Sequence, residues 1–492
     1  MVALLALAGC ATPAPRPREF SGPSVPVETG GWAELGQVRP VPWFHLLNTG
    51  PEALEWRLRA IDAATSSIDL ETFLWKADHS GARMLAHLLA AADRGVKVRI
   101  LLDDSFTMHQ DVAWRALSQH PNLALRIYNP YRRRVGGALG RFLLNLDDFA
   151  RVDHRLHNKV LLVDGRLAIV GGRNVADEYF GHDPVFNFRD LDVMTLDGAT
   201  REIAAHFSAF WNGNWTLPIE QLVPESARHP TLAAVRSWLG ERVRIPARDA
   251  AATRSAWRAV AHSAHAGQAR FIADDPARHD PAAPDEAPVA VANALRELIG
   301  RARNEVTAVS AYLIPTEKFE AALAQAEARG VSVRILTNSL RSNNHLAAHA
   351  AYRNHLHRLL RQGVDLHEVR ALAKDREQYM PAPADTKRLG LHAKAIVFDD
   401  HTVYVGSCNL DPRSLRLNTE VGLVIESRTL NAALRESLAL DFSPRNAWAL
   451  RLVEDRVVWI GDDQTLDVMP ADSVMQRLED WFLSRVPAES EL

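Results

Sequence analysis

One stretch of the sequence occurs twice: HNKVLLVD at residues 157–164 returns 235 residues later as HAKAIVFD at residues 392–399. In each copy a histidine and a lysine stand two residues apart, an apolar run follows, and an aspartate closes the motif. Because alternate side chains of a strand point to the same face, each copy predicts a strand that presents an imidazole and an ammonium group together. A single His-x-Lys pair is usually surface decoration, but two copies in matching positions indicate a shared use.

Two further segments repeat with the same spacing. RGVKVRIL at residues 94–101 returns as RGVSVRIL at 329–336, and GGRN at 171–174 returns as GSCN at 406–409. Three matches in one register indicate that the chain arose by duplication. In each half, helical patterns alternate with apolar, β-rich runs, which is typical of sheets covered by helices. We therefore expect an α/β protein with two α-β-α sandwich domains, at residues 40–215 and 289–460.

The other segments predict connecting and terminal regions. Residues 216–288 carry amphipathic helical stretches and end in a run rich in Asp, Ala and Pro, so we expect a helical or linker insertion there. Residues 461–492 are expected to form a C-terminal tail. No segment has the roughly 18 consecutive apolar residues that a membrane-spanning helix needs.

The first 39 residues predict a lipid anchor. Residues 1–10 form an apolar run ending in Leu-Ala-Gly-Cys, which resembles the lipobox of bacterial lipoproteins and implies a signal that ends at a lipidated Cys10. Residues 11–39 follow as a Pro-rich tether; a buried helix is the alternative interpretation of the apolar run. The run lacks a basic segment and is shorter than the roughly 15–30 residues of a signal peptide, so we expect the natural start to lie upstream of Met1.

Composition narrows the class of protein. A chain of 492 residues with 47% hydrophobic and 24% charged residues is globular and long enough for two domains. Its net charge of -3 and pI near 6.7 give no basic surface for collecting nucleic-acid phosphates. The two cysteines exclude a disulfide framework, and we expect Cys408 to be a small packing residue, because Arg173 takes its place in the first half. No Cys/His cluster has metal-ligand spacing.

The repeated motifs resemble the signature of the phospholipase D superfamily, in which His-x-Lys-x4-Asp is followed by a Gly-Gly or Gly-Ser pair and an asparagine. The runs at residues 170–181 and 406–420 are similar to those of the cardiolipin synthase C group, and the resemblance covers roughly residues 40–460. It implies two duplicated domains packed about a pseudo-two-fold axis, with one active site between them. No cofactor and no metal are expected.

Displacing an alcohol from a phosphodiester without a metal needs a nucleophile, an acid for the leaving oxygen, and cations around the phosphate. The motifs leave open which histidine plays which part. The resemblance implies that His157 attacks phosphorus, giving a phosphatidyl-histidine, and that His392 protonates the departing alcohol. The phosphate oxygens are expected to be held by four further side chains: Lys159, Lys394, Asn174 and Asn409.

A histidine with such a role usually needs a carboxylate on its other ring nitrogen. Glu420 lies 28 residues after His392 and resembles the supporting glutamate of the family. Asp190 takes that place in the first half, with Asp192 as the alternative, because extra residues interrupt the register there.

Two weaker features are Asp164 with Asp399, and a basic stretch. The two aspartates close the motifs before Gly or Asp, which is typical of turns, so we expect supporting roles for them. The basic stretch at residues 131–134, with Arg141 nearby, favours either contact with anionic headgroups or a solvated loop.

The leading hypothesis is phosphatidyl transfer to phosphatidylglycerol, giving cardiolipin; phosphatidylethanolamine is a further candidate donor. Water in place of the lipid alcohol would make the protein a hydrolytic phospholipase D that releases phosphatidic acid. A phosphodiesterase acting on nucleic acid is disfavoured by the charge balance and the anchor. A non-catalytic lipid-binding lipoprotein is disfavoured because neither motif has lost a residue.

The expected surroundings follow from the same hypothesis. The partners are phospholipids and a membrane surface, not nucleic acid, and an unidentified accessory protein is left open. Two motifs in one chain complete one site, so a monomer suffices. The expected location is the bacterial cell envelope, anchored by lipid to the inner or outer membrane and facing the periplasm.

Overall fold

The structure is a computed structural model that describes residues 30–107, 110–134, 137–226, 228–276 and 289–485. The predicted lipidation site at Cys10, most of the predicted tether and residues 277–288 of the run rich in Asp, Ala and Pro lie outside the described residues. Within the described ranges, no helix is both long and apolar enough to cross a membrane.

The first half alternates helices and strands. Its elements are, in chain order, α1 (Gly30–Val38), β1 (Trp43–Leu47), α2 (Gly50–Ala63), β2 (Ser67–Thr72), α3 (His79–Asp93), β3 (Lys97–Asp103), α4 (Asp111–Leu117), β4 (Leu123–Tyr128), α5 (Gly137–Leu144), α6 (Phe149–Val152), β5 (Val160–Val163), β6 (Leu167–Gly171), α7 (Asp177–Phe180), β7 (Phe186–Arg189), β8 (Asp192–Leu196), α8 (Thr200–Trp211), β9 (Thr216–Pro218), α9 (Ile219–Leu222), α10 (Leu232–Arg242), α11 (Ala250–Ser263), β10 (His265–Ala266) and β11 (Gln268–Ala273).

The second half repeats this alternation and ends in a short helix. Its elements are α12 (Ala290–Arg301), β12 (Glu305–Val309), α13 (Glu317–Ala328), β13 (Ser332–Asn338), α14 (Leu346–Arg353), α15 (Leu356–Arg361), β14 (Asp365–Val369), β15 (Arg388–Leu391), β16 (Ala395–Phe398), β17 (Thr402–Gly406), α16 (Pro412–Arg416), β18 (Val421–Glu426), α17 (Arg428–Asp441), β19 (Ala447–Val453), β20 (Arg456–Ile460), β21 (Thr465–Leu466) and α18 (Val474–Leu483).

The two large sheets share the order of their seven central strands, β8 to β9 in the first and β18 to β19 in the second, and differ at their edges. The first is β10-β1-β8-β6-β5-β2-β3-β4-β9, and the second is β11-β18-β17-β16-β12-β13-β14-β19-β20-β21. In each, three central strands run parallel, β2-β3-β4 and β12-β13-β14, and their neighbours are antiparallel. Both glycines of the repeated Arg-Gly-Val end a helix in the left-handed conformation, Gly95 with φ 98° and Gly330 with φ 84°. The predicted duplicated α/β fold is confirmed.

The two halves share a hydrophobic core. Val170 and Val193 of the first sheet pack in one cluster with Val403, Val405 and Leu423 of the second. The opposite face of each sheet packs into a separate cluster with helices of its own half. Each sheet is therefore apolar on both faces, which explains the continuous apolar runs in the motif strands.

A small parallel sheet also joins the halves. Strand β7 pairs with β15, and Leu391 stands opposite Arg189. Asp190 and His392 are the residues that follow these two strands. They therefore lie next to each other, one from each half.

The structure differs from the predicted boundaries at three places. Residues 30–38 of the predicted tether form α1, where Trp32 packs on Trp257 and donates a hydrogen bond to Asp164. Within the predicted linker, β10 pairs with β1 and β11 pairs with β18, so this segment extends both sheets. The C-terminal tail contains β21 and α18. The two-residue strands β10 and β21 are too short to leave a periodic signal in the sequence.

Candidate active site

The two His-x-Lys motifs meet at a pocket between the halves. The backbone N–H of His157 donates to the carbonyl of Thr419 at 3.0 Å, and that of His392 donates to the carbonyl of Arg189 at 2.8 Å. Each motif is thus hydrogen-bonded to the opposite half just before its strand begins. Both histidines line a pocket of about 590 Å³, and the two predicted asparagines, Asn174 and Asn409, line it as well.

The supporting carboxylates are exchanged between the halves. The Nδ1 atom of His157 lies 2.9 Å from both carboxylate oxygens of Glu420, and Nδ1 of His392 lies 2.7 Å from Oδ2 of Asp190. An ionised carboxylate can only accept in this contact, which places the proton on Nδ1 and leaves Nε2 available for chemistry. The alternative residue, Asp192, instead forms an ion pair with two arginines, at 2.8 and 3.0 Å.

Each carboxylate is held by a different neighbour. Ser407 donates its hydroxyl to Glu420, and the backbone N–H of Glu420 donates to Asp274 at 3.0 Å. Gly172 matches Ser407 in the repeat, and a Cβ placed there would lie 2.2 Å from Oδ1 of Asp190. The glycine therefore leaves the space that the carboxylate occupies. Sequence reasoning missed Asp274 as a site residue, because its contact is with a residue far away in the chain.

The motif lysines are buried, and each contacts the backbone of the histidine in its own motif. Nζ of Lys159 donates to the carbonyl of His157 at 2.6 Å, and Nζ of Lys394 donates to the carbonyl of His392. Burial lowers the pKa of Lys159 to about 7 and that of Lys394 to about 8. An anion in the pocket would favour their charged forms.

The two histidines differ in electrostatic surroundings. Burial lowers the pKa of His157 far below its usual value, and burial lowers that of His392 to about 4 even though Asp190 raises it. Burial acts to raise the pKa of Asp190, but His392 and the nearby cations outweigh it and hold the value at about 2. Burial raises the pKa of Glu420 well above its usual range. The negative charge is therefore held more firmly beside His392 than beside His157.

Aromatic rings form the walls around the histidines. Phe73 lies edge-on to His157 with ring centroids 5.1 Å apart, and Tyr179 and Phe188 lie 4.9 and 5.0 Å from His392. These rings limit the access of water to the imidazoles.

The predicted asparagines also face the pocket. Asn174 donates to the hydroxyl of Tyr179 at 2.9 Å. Within the described part of the chain, the buried Oδ1 atoms of Asn174 and Asn409 have no hydrogen-bond partner. Buried polar groups without partners are rare and often mark a place for a ligand.

Asp164 and Asp399 lie away from the pocket. The Asp164 carboxylate accepts hydrogen bonds from the backbone N–H groups of residues 65–67, and Asp399 accepts from those of 303–305. Both residues have positive φ, 51° and 46°. The two aspartates hold the turn that follows each motif strand. They can affect the pocket only by positioning that strand.

Cys408 and the arginines of the basic stretch make contacts within the fold. Cys408 is buried, and burial raises the pKa of its thiol well above the usual value, which disfavours a nucleophilic role. Every arginine of the basic stretch pairs with an aspartate of the same half: Arg132 with Asp148, Arg133 with Asp147, and Arg134 and Arg141 with Asp104 and Asp111. Across the described ranges, no group of three or more metal-ligating side chains is found.

Both halves of the chain are similar to known proteins. A family model described as "Cardiolipin synthase, PLD-like domain" matches residues 58–211 and 295–441. Cardiolipin synthase C of Escherichia coli (strain K12) is 33% identical over 459 residues, covering 89% of this chain and 93% of that protein. Cardiolipin synthase B of the same strain is 28% identical over 415 residues, covering 80% and 79%. The crystal structure of phosphatidylserine synthase from Haemophilus influenzae Rd KW20 has a TM-score of 0.59 at 14% identity, and covers 94% of this chain and 100% of that chain; this likeness concerns the fold alone.

Proposed function

Because this chain belongs to the phospholipase D-like cardiolipin synthase family of phospholipid-modifying enzymes, we propose that it transfers a phosphatidyl group to phosphatidylglycerol and so forms cardiolipin. One observation carries the proposal: two histidines, each paired with a carboxylate of the opposite half, face one pocket, and two buried lysines lie close enough to act on His157 electrostatically. That set provides a nucleophile, an acid and the cations that a phosphodiester reaction without a metal needs.

In the first step Nε2 of neutral His157 attacks the phosphorus of the donor lipid. The P–N bond forms, the bond from phosphorus to the headgroup oxygen breaks, and Nε2 of His392 gives its proton to that oxygen. The ionised Asp190 stabilises the charged form of His392 before the transfer. An arriving phosphodiester anion further favours protonation of His392, since it adds negative charge to a buried pocket.

In the second step the headgroup alcohol leaves and a hydroxyl of phosphatidylglycerol takes its place. Neutral His392 removes the hydroxyl proton, the oxygen attacks phosphorus, and the P–N bond to His157 breaks. Both histidines return to their starting protonation states. The product is cardiolipin when the hydroxyl belongs to phosphatidylglycerol, and phosphatidic acid when water attacks instead.

The remaining pocket groups hold the phosphate. Lys159 and Lys394 offset its charge, while the side-chain N–H groups of Asn174 and Asn409, which line the pocket, donate hydrogen bonds to its oxygens. The aromatic rings beside both histidines favour a lipid alcohol over water in the second step, because they limit solvent access.

The proposal includes a lipid anchor at Cys10, which lies outside the described residues and rests on the lipobox resemblance alone. Cys10→Ser is expected to abolish labelling by a radioactive fatty acid and to release part of the protein from the envelope membranes. Unchanged labelling would contradict the anchor without touching the proposed reaction.

Lipid analysis of cells that lack cardiolipin tests the reaction. We expect cardiolipin to appear with the intact protein and to be absent with His157→Ala or His392→Ala. His401→Ala is the matched control, since His401 is a half-exposed histidine that interacts with Asp400 and Glu426 outside the pocket. Phosphatidic acid in place of cardiolipin would assign the protein as a hydrolase. No lipid change with the expressed, folded protein would contradict the proposal.

A further inference from the structure

The last helix, α18, is attached to the protein through its polar face. Asp480 is fully buried, with Oδ1 2.7 Å from Nδ1 of His349 and Oδ2 2.9 Å from Nη1 of Arg353. Gln476 adds a hydrogen bond to the carbonyl of Leu340. An amphipathic helix of a soluble protein normally buries its apolar stripe instead. The orientation of α18 is therefore reversed.

The apolar side chains of α18 are exposed to solvent as a result. Their spacing along the helix places them on one face, in a stripe roughly 120° wide. The members of this apolar stripe, with their exposed fractions, are Val474 (68%), Met475 (61%), Leu478 (54%), Trp481 (46%) and Phe482 (65%). A contiguous patch of large exposed apolar residues of this kind usually marks a protein or membrane contact.

The charge beside the stripe favours an anionic partner. A groove of about 950 Å³ next to α18 is lined by four arginines and two aspartates, Asp455 and Asp467, and so has an excess of positive charge. Three of the arginines, Arg456, Arg477 and Arg485, form no ion pair within the described ranges. The Arg485 guanidinium stacks on the ring of Trp481 at 3.5 Å from its centroid. Tryptophan and arginine beside an apolar helix face are typical of segments that lie at the level of lipid headgroups.

One short helix connects the stripe with the active site. His345 and Ala348, at the start of α14, line the catalytic pocket. His349 and Arg353, one turn further along α14, hold Asp480. An eight-residue helix is about 12 Å long, so α18 lies close behind one wall of the pocket.

We propose that the apolar stripe of α18 binds the surface of a phospholipid bilayer and holds the pocket at the membrane from which it draws its lipids. The choice of occupant rests on the proposed function, which makes the substrate a membrane lipid. The stripe enters the acyl boundary, and the arginines of the groove meet anionic headgroups. This attachment is separate from any lipid on Cys10.

Vesicle co-sedimentation tests the proposal on the full chain carrying Cys10→Ser, so that no acyl group contributes. The vesicles contain phosphatidylethanolamine and phosphatidylglycerol. Leu478→Ser with Phe482→Ser removes two exposed apolar side chains and is expected to lower binding by roughly 10-fold or more, since each buried side chain of this size contributes substantially to transfer from water. Ile245→Ser, an exposed apolar residue on the first half, is the control and should bind as the parent does.

The outcomes separate this inference from the proposed function. Turnover of a short-chain, water-soluble phosphatidylglycerol is expected to be the same in parent and double variant, because the stripe is outside the pocket. Vesicle binding that does not change in the double variant would overturn the inference, whatever the turnover. A dimer that the double variant loses, with vesicle binding unchanged, would assign the stripe to a second copy and also overturn it. No turnover by the parent would count against the proposed function alone.

Discussion

The carboxylates beside the two histidines differ in how firmly they hold a negative charge, and the proposed roles of the histidines follow from that difference. Nearby cations hold the pKa of Asp190 low beside His392, whereas burial raises the pKa of Glu420 beside His157. A charged carboxylate raises the proton affinity of an imidazole, which suits an acid. A neutral imidazole with a fixed tautomer suits a nucleophile.

Changing each carboxylate to its amide tests this assignment. With a donor whose headgroup is p-nitrophenol, the leaving group needs no proton, so Asp190→Asn should slow the release of p-nitrophenol in the first turnover only slightly. With a natural phospholipid the same variant should be slower by roughly 100-fold or more. Glu420→Gln should slow both donors, because it disturbs the attacking group. The measurement is the rate ratio for the two donors.

Asp400→Asn is the control for both amides, since Asp400 is exposed and lies outside the pocket. A reversed pattern, in which Glu420→Gln is the variant rescued by the better leaving group, would exchange the roles of the histidines.

The buried lysines predict the alkaline side of the pH profile. A lysine is charged below its pKa, so Lys159 and Lys394 lose their charge as the pH rises through about 7 and about 8. We expect kcat/KM to fall over that range, because uncharged amines bind the phosphate poorly. Without bound substrate the pKa of His392 is about 4, so this group titrates well below that range. Lys394→Arg tests the role of the lysine charge, since arginine stays charged: an active variant should keep its rate to higher pH. A profile that stays flat well above pH 8 would contradict the prediction.

At the scale of elements, strands β7 and β15 determine where the site forms. They pair across the halves and deliver Asp190 and His392 to adjacent positions. Gly390 lies in β15, and a Cβ there would come within 2.3 Å of the Phe186 ring and 2.7 Å of the Ser342 carbonyl. The strand pair therefore has no room for a side chain at this position.

Gly390→Ala is expected to destabilise the protein by about 1–3 kcal/mol, a usual cost of overpacking, and to lower activity further by shifting His392 from Asp190. Thermal unfolding and turnover at a temperature where the variant remains folded measure the two effects separately. Gly240→Ala is the control, because a Cβ at Gly240 meets nothing within 4 Å. Full activity in Gly390→Ala would mean that β15 does not set the position of His392.

The sequence was sufficient for the motifs because duplication repeats them in register. His157 and His392 were predicted to share a site from that register, and the structure brings them to one pocket. Which carboxylate supports which histidine was not predictable, because spacing within one half carries no information about contacts across the interface. Asp192, one candidate, is used by buried arginines instead. Asp274 was missed because its contact to Glu420 joins segments 146 residues apart.

At the scale of the whole molecule, the described residues form two similar halves around one shared pocket. Arg189 of the first half is buried against Asp441 of the second, with Nε 3.0 Å from both carboxylate oxygens. The shared core and this ion pair fix the relative position of the halves. Each histidine is hydrogen-bonded to a carboxylate of the other half, so neither half alone contains a complete histidine–carboxylate pair.

This arrangement predicts that inactive chains do not complement each other. Every chain forms one site from its own two motifs, so a mixture of His157→Ala and His392→Ala chains contains no site with both histidines. We expect cardiolipin synthesis by the mixture to stay at the level of either variant alone, including after joint refolding from denaturant. The matched control is the parent protein refolded in the same way. Activity recovered only in the jointly refolded mixture would mean that halves exchange between chains, and that a monomer is not the catalytic unit.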